Sequence, residues 1–380
     1  MKKAISILLA VLIVSALIPG ALAVEETFNN PTTVSTETEL AAAVAADATY
    51  DKVTLENDIT LTGTLTIGHG VFISGDTAKY TITYAGDASN GAVVVNTTEA
   101  VTMDSLVLDC TNVNSRGVKL NSTSPKFTFS NSVMNVNLRG IWMSSDFNAD
   151  SSSVINVTNS YIKNNQLPSN KTYQNWANCS DTRGLALWDM NNSRVNITGS
   201  HILGFGYTIN LAGDIVDGLR NYNGTIISVS GSELWGWSAL NIWSCGTTFD
   251  ISNSDLRGIN MHTSGANNFA TIVLNEEIYG TSGPANYINI SGGKIGAYSY
   301  GGLDQYPIRI DSELNTYFAF SLGSDLSKVM FESNVNQVML NLATPNLTNQ
   351  MIENYLNNYF SGTEYCDTMG LQPVQTRTVA

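Results

Sequence analysis

The residues that decide the fold are Ile155-Asn156-Val157-Thr158-Asn159-Ser160. Apolar and polar side chains alternate and the segment ends at Asn-Ser, a pattern typical of a short β-strand followed by a tight turn. The pattern recurs along the chain at offsets of 28, 40, 32, 22 and 39 residues, with Gly at the turn in some copies. The other copies are Phe127–Ser132, Val195–Ser200, Ile227–Ser232, Phe249–Ser254 and Ile288–Gly293.

A second alternating segment lies between most copies of this repeat. A unit of two or three short strands cannot bury its own apolar face, so successive units must stack on one another. The sequence therefore predicts an all-β solenoid of about ten stacked rungs at a spacing of about 4.8 Å. The turn residues Asn131, Asn159 and Asn253 are expected to stack as a ladder of amides. The second segments are Gly117–Leu120, Gly140–Met143, Gly184–Trp188, Thr208–Leu211, Ala239–Trp243 and Gly258–Met261.

Both ends of the solenoid carry signals for a cap. At the N-terminal end, Thr36-Glu37-Thr38-Glu39 is a capping box ahead of the apolar segment Leu40–Val44, which predicts a short helix covering the first rung. We expect the β-helix domain to span residues 24–311. Residues 312–380 are predicted to hold the final strands and a helical cap at Thr348–Phe360.

The chain begins with features of an exported protein. Met1-Lys2-Lys3 precedes the apolar run Ala4–Ile18 and the small-residue site Ala21-Leu22-Ala23, so residues 1–23 are predicted to be a signal peptide. No later segment is long and apolar enough to predict a transmembrane helix. We therefore expect the protein to be secreted, extracellular or held at the cell surface.

The net charge limits the partners expected for the protein, and the cysteine content limits the disulfides that it can form. The net charge is −14, and the signal peptide contains two of the 18 basic residues, so a general affinity for nucleic acid is not expected. Four cysteines in an exported chain allow two disulfides, and we predict Cys179 with Cys245 as one pair. Four unpaired buried thiols are the alternative. The oligomeric state is not predicted.

The N-terminal strands carry a resemblance to a known family. The run Glu39–Ala45 is followed by Val53-Thr54-Leu55, Ile59–Leu61, Leu65–Ile67 and Val71–Gly75. This succession resembles the opening of right-handed parallel β-helix proteins of the pectate-lyase-like class, which include many surface adhesins. The paired-Asp and His-Gly signatures of polygalacturonases and the calcium triad of pectate lyases are not found. The resemblance therefore implies a fold, which lyases, hydrolases and adhesins share, and no single activity.

Three tryptophans are predicted to point away from the core of the second segments. Alternation places Trp142, Trp188 and Trp243 on one outer face, with Trp142 and Trp188 on adjacent rungs. Such rings can form a platform for the sugar rings of a polysaccharide. The alternative is that the segment 163–182 folds back and buries them.

Four Arg-Gly pairs precede these segments, at Arg116, Arg139, Arg183 and Arg257. A column of stacked cations requires nearby carboxylates or an anionic ligand, because like charges repel. The functional interpretation is a stripe that binds an acidic polysaccharide. The structural alternative is that each Arg forms a salt bridge with a neighbouring Asp, and that the Gly allows the backbone to turn.

The position after the turn serine or glycine also points outward. Along the repeat it places His201, Glu233 and Asp255 on three successive rungs, between Tyr161 and Lys294. Glu233 and Asp255 suit the two carboxylates of a retaining glycosidase, with His201 or Tyr161 as proton donor. A divalent cation such as Ca²⁺ bound by these three residues is a further option, although no cofactor is required. The alternative is a solvated polar strand face.

Three functions follow from these patterns. The first is an adhesin-like, non-catalytic protein that binds a polysaccharide or surface glycan through the Trp and Arg columns. The second is a polysaccharide lyase or glycoside hydrolase, in which Arg139 or Arg183 abstracts a proton or Glu233 and Asp255 act as carboxylates. The third is a structural envelope protein. The absence of enzyme signatures favours the first.

Overall fold

The structure is a computed structural model. It describes residues 27–86, 91–110, 115–143, 153–165, 182–188, 190–212, 215–216, 219–262, 269–274, 284, 286–303, 305–310, 316–320, 329–333 and 340–342. Within these ranges the chain forms 28 strands and one helix. The strands associate in parallel columns along a solenoid, so the predicted all-β parallel β-helix is confirmed. The number of rungs and membership of the pectate-lyase-like class stay predictions.

Three columns of strands, numbered in chain order, form the faces of the solenoid. Face A contains β1 (Pro31–Val34), β2 (Lys52–Leu55), β5 (Val71–Ser74), β8 (Ala100–Asp104), β11 (Lys126–Ser130), β14 (Val154–Thr158), β17 (Arg194–Thr198), β20 (Leu219–Ser230), β22 (Cys245–Asn260), β24 (Asn286–Ser299) and β26 (Thr316–Phe320). Face B contains β3 (Ile59–Leu61), β6 (Thr81–Tyr84), β9 (Val107–Asp109), β12 (Val133–Val136), β15 (Tyr161–Asn164), β18 (His201–Ala212), β21 (Glu233–Ile242), the later parts of β22 and β24, and β27 (Val329–Ser333).

Face C contains β4 (Leu65–Ile67), β7 (Val93–Val95), β10 (Arg116–Leu120), β13 (Arg139–Met143), β16 (Arg183–Trp188), the later parts of β18 and β21, β23 (Phe269–Leu274), β25 (Gln305–Ile310) and β28 (Leu340–Leu342). Strand β19 (Ile215–Val216) pairs with β20 in an antiparallel arrangement. Four of the later strands, β18, β21, β22 and β24, pass from one face to the next without a break.

The repeat identified in the sequence forms the strands of face A, where equivalent positions of successive copies pair with one another. Phe127 pairs with Ile155, Ile155 with Val195, and Val195 with Ile227. The column continues through Phe249 and Ile288, and each of these side chains is at most 1% exposed. Apolar residues of successive rungs therefore stack into one continuous core, which is the main favourable contribution to the fold.

A ladder of serines joins the rungs at the turn between faces A and B. The backbone N–H of Ser132 donates to Oγ of Ser160, and that of Ser160 donates to Oγ of Ser200, both at 3.1 Å. Ser200 and Ser232 continue the ladder to Ser254 at 3.1 and 3.2 Å. Each hydroxyl also donates to the carbonyl two residues before it, for example Ser200 to Thr198 at 2.9 Å. The ladder therefore satisfies buried backbone groups that the corner would otherwise leave unpaired.

The predicted ladder of turn asparagines is interrupted. Asn131, Asn159 and Asn253 adopt positive φ angles of 50°, 47° and 46°, which Asn tolerates better than most residues. Between Asn159 and Asn253, however, the same position is taken by Gly199 and Gly231, at φ 55° and 54°. The shared requirement of this column is the left-handed backbone rather than an amide side chain.

The predicted N-terminal helix is present as α1 (Glu37–Ala43). Its capping box forms, with Oγ1 of Thr36 accepting from the N–H of Glu39 and the Glu39 carboxylate accepting from the N–H of Thr36. Leu40 is fully buried and Ala43 is 3% exposed, and both pack into the core of the first strands. Amphipathic packing and capping thus place the helix at the start of the solenoid.

The predicted final strands are present near the C-terminal end. Strands β26, β27 and β28 extend faces A, B and C by pairing with β24 and β25. The predicted signal peptide at residues 1–23 and the predicted helical cap at Thr348–Phe360 lie outside the described residues. Among the described residues there is no helix with the length and apolar character needed to cross a membrane.

Candidate functional site

The polar column predicted on face B forms in the predicted register. Tyr161 pairs with His201, His201 with Glu233, and Glu233 with Asp255. The column extends from Val133 on one side to Lys294 on the other. We call His201, Glu233 and Asp255 the ionic column.

Contacts along the ionic column are local and pairwise. The ring of His201 stacks on that of Tyr161, with centroids 4.4 Å apart and planes 6° apart. Nδ1 of His201 lies 2.8 Å from Oε2 of Glu233, and the two side chains are 34% and 18% exposed. Tyr161 itself is 44% exposed. The imidazole is therefore fixed by stacking on its face and by a carboxylate at its edge.

Asp255 is engaged by Arg257. Nε of Arg257 donates to both carboxylate oxygens, at 2.9 and 3.0 Å, and Nη2 forms a further contact with Oδ2. The guanidinium lies 4.3 Å from the ring centroid of Trp235, which is 2% exposed. Burial lowers the pKa of Arg257, but hydrogen bonding and the charge of Asp255 more than offset this effect, so the pKa is raised and Arg257 stays charged.

These contacts weaken the interpretation of the column as a metal site. Within the described ranges no group of three or more His, Cys, Asp and Glu side chains is placed to bind a metal ion. The option of a cation held by His201, Glu233 and Asp255 gains no support from this geometry, because Glu233 is paired with His201 and Asp255 with Arg257. A catalytic role for the three residues stays a prediction.

Three of the four Arg-Gly pairs form a column on face C. Arg116 pairs with Arg139, and Arg139 pairs with Arg183. The next position is Tyr207, and the Arg183 guanidinium lies 5.6 Å from its ring centroid. Burial lowers the pKa of Arg116. We call Arg116, Arg139 and Arg183 the arginine column.

Arg257 does not belong to the arginine column, so that part of the prediction is wrong. It pairs with Trp235 and Gly296 on face B. Arg139 follows its turn serine, Ser132, by seven residues, whereas Arg257 follows Ser254 by three, too few to reach face C. The strand that pairs with Ala239–Trp243 is accordingly β23 and not Gly258–Met261.

The three predicted platform tryptophans differ in their surroundings. Trp142 is 5% exposed, with Arg116, Lys119 and Arg139 at 5.0 to 5.2 Å from its ring. Because Trp142 pairs with Ala186, it is offset by two residues from Trp188 on the adjacent strand.

Trp188 pairs with Ala212 and packs against the hydrophobic core, and Trp243 is half-buried. Cationic side chains therefore cover much of the surface of Trp142, and core residues cover much of the surface of Trp188. Their role in glycan binding stays a prediction.

An aromatic cluster that the sequence analysis missed continues the arginine column. Trp237 lies 4.2 Å from Phe269 and 4.7 Å from His262 between ring centroids, and Tyr207 lies 6.1 Å from Trp237. All four side chains are half-buried. Burial lowers the pKa of His262, which favours its neutral form. We call Tyr207, Trp237, Phe269 and His262 the aromatic cluster.

One signal in the sequence points to this cluster. Tyr207 immediately precedes the predicted segment Thr208–Leu211, so it occupies the repeat position that Arg139 and Arg183 occupy in other rungs. Phe269 begins a strand that follows residues outside the repeat pattern, and no spacing rule would have placed it beside Trp237.

Two of the four cysteines, Cys110 and Cys245, lie among the described residues. Cys110 is fully buried and forms no disulfide. Cys245 is also fully buried, and its predicted partner Cys179 lies outside the described residues. The predicted pairing of Cys179 with Cys245 stays a prediction.

One solved structure with detectable similarity is L. reuteri 53608 SRRP, at 14% sequence identity. The alignment covers 82% of this chain and 99% of that chain, with a TM-score of 0.39, which carries no argument about fold or function. No family model and no curated protein matches the sequence. The fold assignment therefore rests on the strand pairing described above.

Proposed function

We propose that the protein is a secreted or cell-surface, adhesin-like protein that binds a polysaccharide on the arginine column and the aromatic cluster. The observation that carries this proposal is the position of the Arg183 guanidinium over Tyr207, where the column of cations meets the cluster of rings. Aromatic faces accept the apolar face of a sugar ring, and a guanidinium donates paired hydrogen bonds to a carboxylate. Together they suit a sugar chain with acidic residues.

The charge distribution supports an anionic ligand at this surface. The chain carries −14 overall, yet Arg116, Arg139 and Arg183 follow one another on adjacent strands. A local cluster of cations on an acidic protein directs an anionic partner to one place. Neighbouring guanidinium groups also repel one another less when such a partner bridges them.

Binding is favoured over hydrolysis because the predicted catalytic carboxylates already have side-chain partners. Glu233 contacts His201, and Asp255 contacts Arg257. A retaining glycosidase needs one protonated acid and one available nucleophile facing the same bond. The contacts of Glu233 and Asp255 are those expected of a polar strand face that stabilises the solenoid.

The proposal is tested by measuring affinity for a panel of immobilised acidic and neutral polysaccharides. We expect Arg183→Gln and Trp237→Ala each to weaken binding of an acidic polysaccharide by about tenfold or more. Tyr287→Ala is the matched control, because Tyr287 is 47% exposed and lies on face A. Binding that is equal in all four proteins, or absent in the wild type, contradicts the proposal.

Mass spectrometry of the same polysaccharides after incubation separates the other functions. Intact chains are expected. Shortened chains would replace the proposal with a hydrolase, and unsaturated uronate ends would identify a lyase. Self-association of the purified protein without any retained glycan would favour a structural envelope role.

A further inference from the structure

The first strand of the solenoid has an edge to which no described strand is paired. Strand β1 pairs with β2 through the matches Thr32 to Val53 and Thr33 to Thr54. The structure describes no strand on the opposite side of β1. A free edge of this kind exposes backbone groups that an additional strand can bind.

The backbone groups at this edge can be identified from the pairing on the other side. The carbonyl of Val34 accepts from the N–H of Glu56 at 2.9 Å, so Val34 directs its backbone groups towards β2. Alternation then directs the N–H and C=O of Thr33, and the C=O of Pro31, to the free edge. Thr33 is exposed, and Pro31 has no N–H to donate. The edge thus offers one donor and two acceptors.

A cavity of about 490 Å³ lies along this edge. It is lined by the consecutive residues Thr32, Thr33 and Val34, whose side chains alternate between the two faces of the strand. A cavity that contacts all three must adjoin the edge of β1 rather than one face. The opposite wall consists of Glu39, Ala42 and Ala43 of helix α1, with residues 47–50 completing the cleft.

We propose that this cleft binds an extended, basic peptide segment of another protein, which adds to β1 as a further strand. Main-chain hydrogen bonds to Thr33 and Pro31 would give affinity, and the cavity would take alternate side chains. The acidic residues Glu39 and Asp47 line the cleft, so basic side chains are complementary to its charge. A second copy of this acidic chain would meet like charge at this end.

The segment just before β1 is not the occupant. The Asp51 carboxylate accepts from the backbone N–H groups of Asn29 and Asn30, and the Asn30 side chain donates to the carbonyl of Thr49 at 3.0 Å. These contacts direct residues 29–30 straight into β1, so they do not return to pair with it. Among the described residues, none therefore occupies this edge of β1.

The test uses a blocked octapeptide in which Lys alternates with Val and Thr, titrated against the purified protein by calorimetry. Thr33→Pro removes the edge donor, and Thr33→Val is the matched control because it keeps the backbone N–H. We expect Thr33→Val to bind as the wild type does and Thr33→Pro to bind about tenfold more weakly or not at all. Circular dichroism checks that both variants are folded.

Two further probes separate strand addition from charge attraction. An octapeptide with Glu in place of Lys is expected not to bind, and one N-methylated at alternate residues is expected to lose binding while keeping its charge. On addition of the Lys peptide, hydrogen exchange of the Thr33 amide is expected to slow. Failure of the Lys peptide to bind, or equal binding to Thr33→Pro and Thr33→Val, overturns the proposal. Neither result bears on polysaccharide binding at the arginine column.

Discussion

His201 contacts Tyr161 through the face of its ring and Glu233 through its edge, at a centroid distance of 4.4 Å and an Nδ1 to Oε2 distance of 2.8 Å. The three residues occupy the same position on successive strands of face B. Because a stacked ring keeps its in-plane nitrogens available, the two contacts do not compete. Parallel pairing alone therefore brings Tyr161, His201 and Glu233 into contact, although the sequence separates the first two by 40 residues and the last two by 32.

The first prediction concerns the energetic coupling of Tyr161 and His201. Both side chains are substantially exposed, so we expect a double-mutant cycle of Tyr161→Ala and His201→Ala to give a coupling of about 0.5 kcal/mol. Glu233→Gln alone is expected to cost less than about 1 kcal/mol, since its contact with His201 is only part-buried and such contacts contribute little. Urea unfolding of the wild type, the three single mutants and the double mutant measures both values. Strictly additive effects of the two alanine substitutions would show that the stack does not contribute to stability.

The second prediction concerns the serine ladder. Ser200→Ala removes the acceptor for the buried N–H of Ser160 and the donor to the carbonyl of Thr198. An unsatisfied buried N–H costs about 1–3 kcal/mol, so we expect a loss of that size in the free energy of unfolding.

The matched control for the serine ladder is Ser252→Ala. Ser252 lies on face A, and its hydroxyl makes an exposed hydrogen bond to Ser230 at 3.1 Å. Water can replace that bond, so we expect a change within about 0.5 kcal/mol. An equal loss in Ser200→Ala and Ser252→Ala would contradict the structural importance of the ladder.

The third prediction concerns the left-handed backbone at Asn159, where φ is 47°. We expect Asn159→Gly to be tolerated, whereas Asn159→Val should cost about 1–2 kcal/mol because a β-branched side chain clashes in this conformation. Thr158→Val is the control, since Thr158 is extended and points outward on β14. Thermal unfolding ranks the three variants, and equal stability of Asn159→Gly and Asn159→Val would contradict the prediction.

Alternation and the turn residues were sufficient to predict the stacking of face A and the neighbours of Glu233 on face B. Each rung contributes the same short unit there, so spacing from the turn serine maps directly onto position in space. The serine ladder was not predicted, although the serines were part of the repeat. Its N–H to Oγ hydrogen bonds run between rungs, and a single copy of the unit contains only one partner of each of these bonds.

The misplacement of Arg257 has a different physical cause. The earlier rungs break between faces B and C, whereas β18 and β21 continue across both faces. Counting residues from the turn between faces A and B then assigns a residue to a face only if the length of the connection to the next face is known. The same uncertainty hid the aromatic cluster, in which Trp237 meets Phe269 from a strand that begins after residues outside the repeat.

The fourth prediction concerns Cys110, whose thiol is buried. Burial, with a smaller contribution from the charge of Asp109, raises the pKa of Cys110 well above its ordinary value, and the reactive thiolate is therefore suppressed. We expect iodoacetamide at mildly alkaline pH to leave Cys110 unmodified in the folded protein and to modify it in urea. Peptide mapping by mass spectrometry measures this, and rapid labelling of Cys110 in the folded protein would contradict its burial.

The last prediction is the pH dependence of the contact between helix α1 and Thr62, the residue that follows strand β3. The backbone N–H of Thr62 donates to the Glu37 carboxylate at 2.7 Å, and the Thr62 hydroxyl adds a second contact at 3.0 Å. These bonds favour the charged form and lower the pKa of Glu37 below its ordinary value of 4.5.

The sign of this effect follows from linkage. Because the folded pKa of Glu37 is lower than the unfolded one, its contribution to stability is present above the unfolded value. The contribution is lost as pH falls through the folded pKa. We therefore expect Glu37→Gln to unfold at lower urea than the wild type at neutral pH, and the two midpoints to converge on acidification below 4.5. Asp47→Asn, an exposed carboxylate, is the control, and a Glu37→Gln difference that stays constant with pH would contradict the assignment.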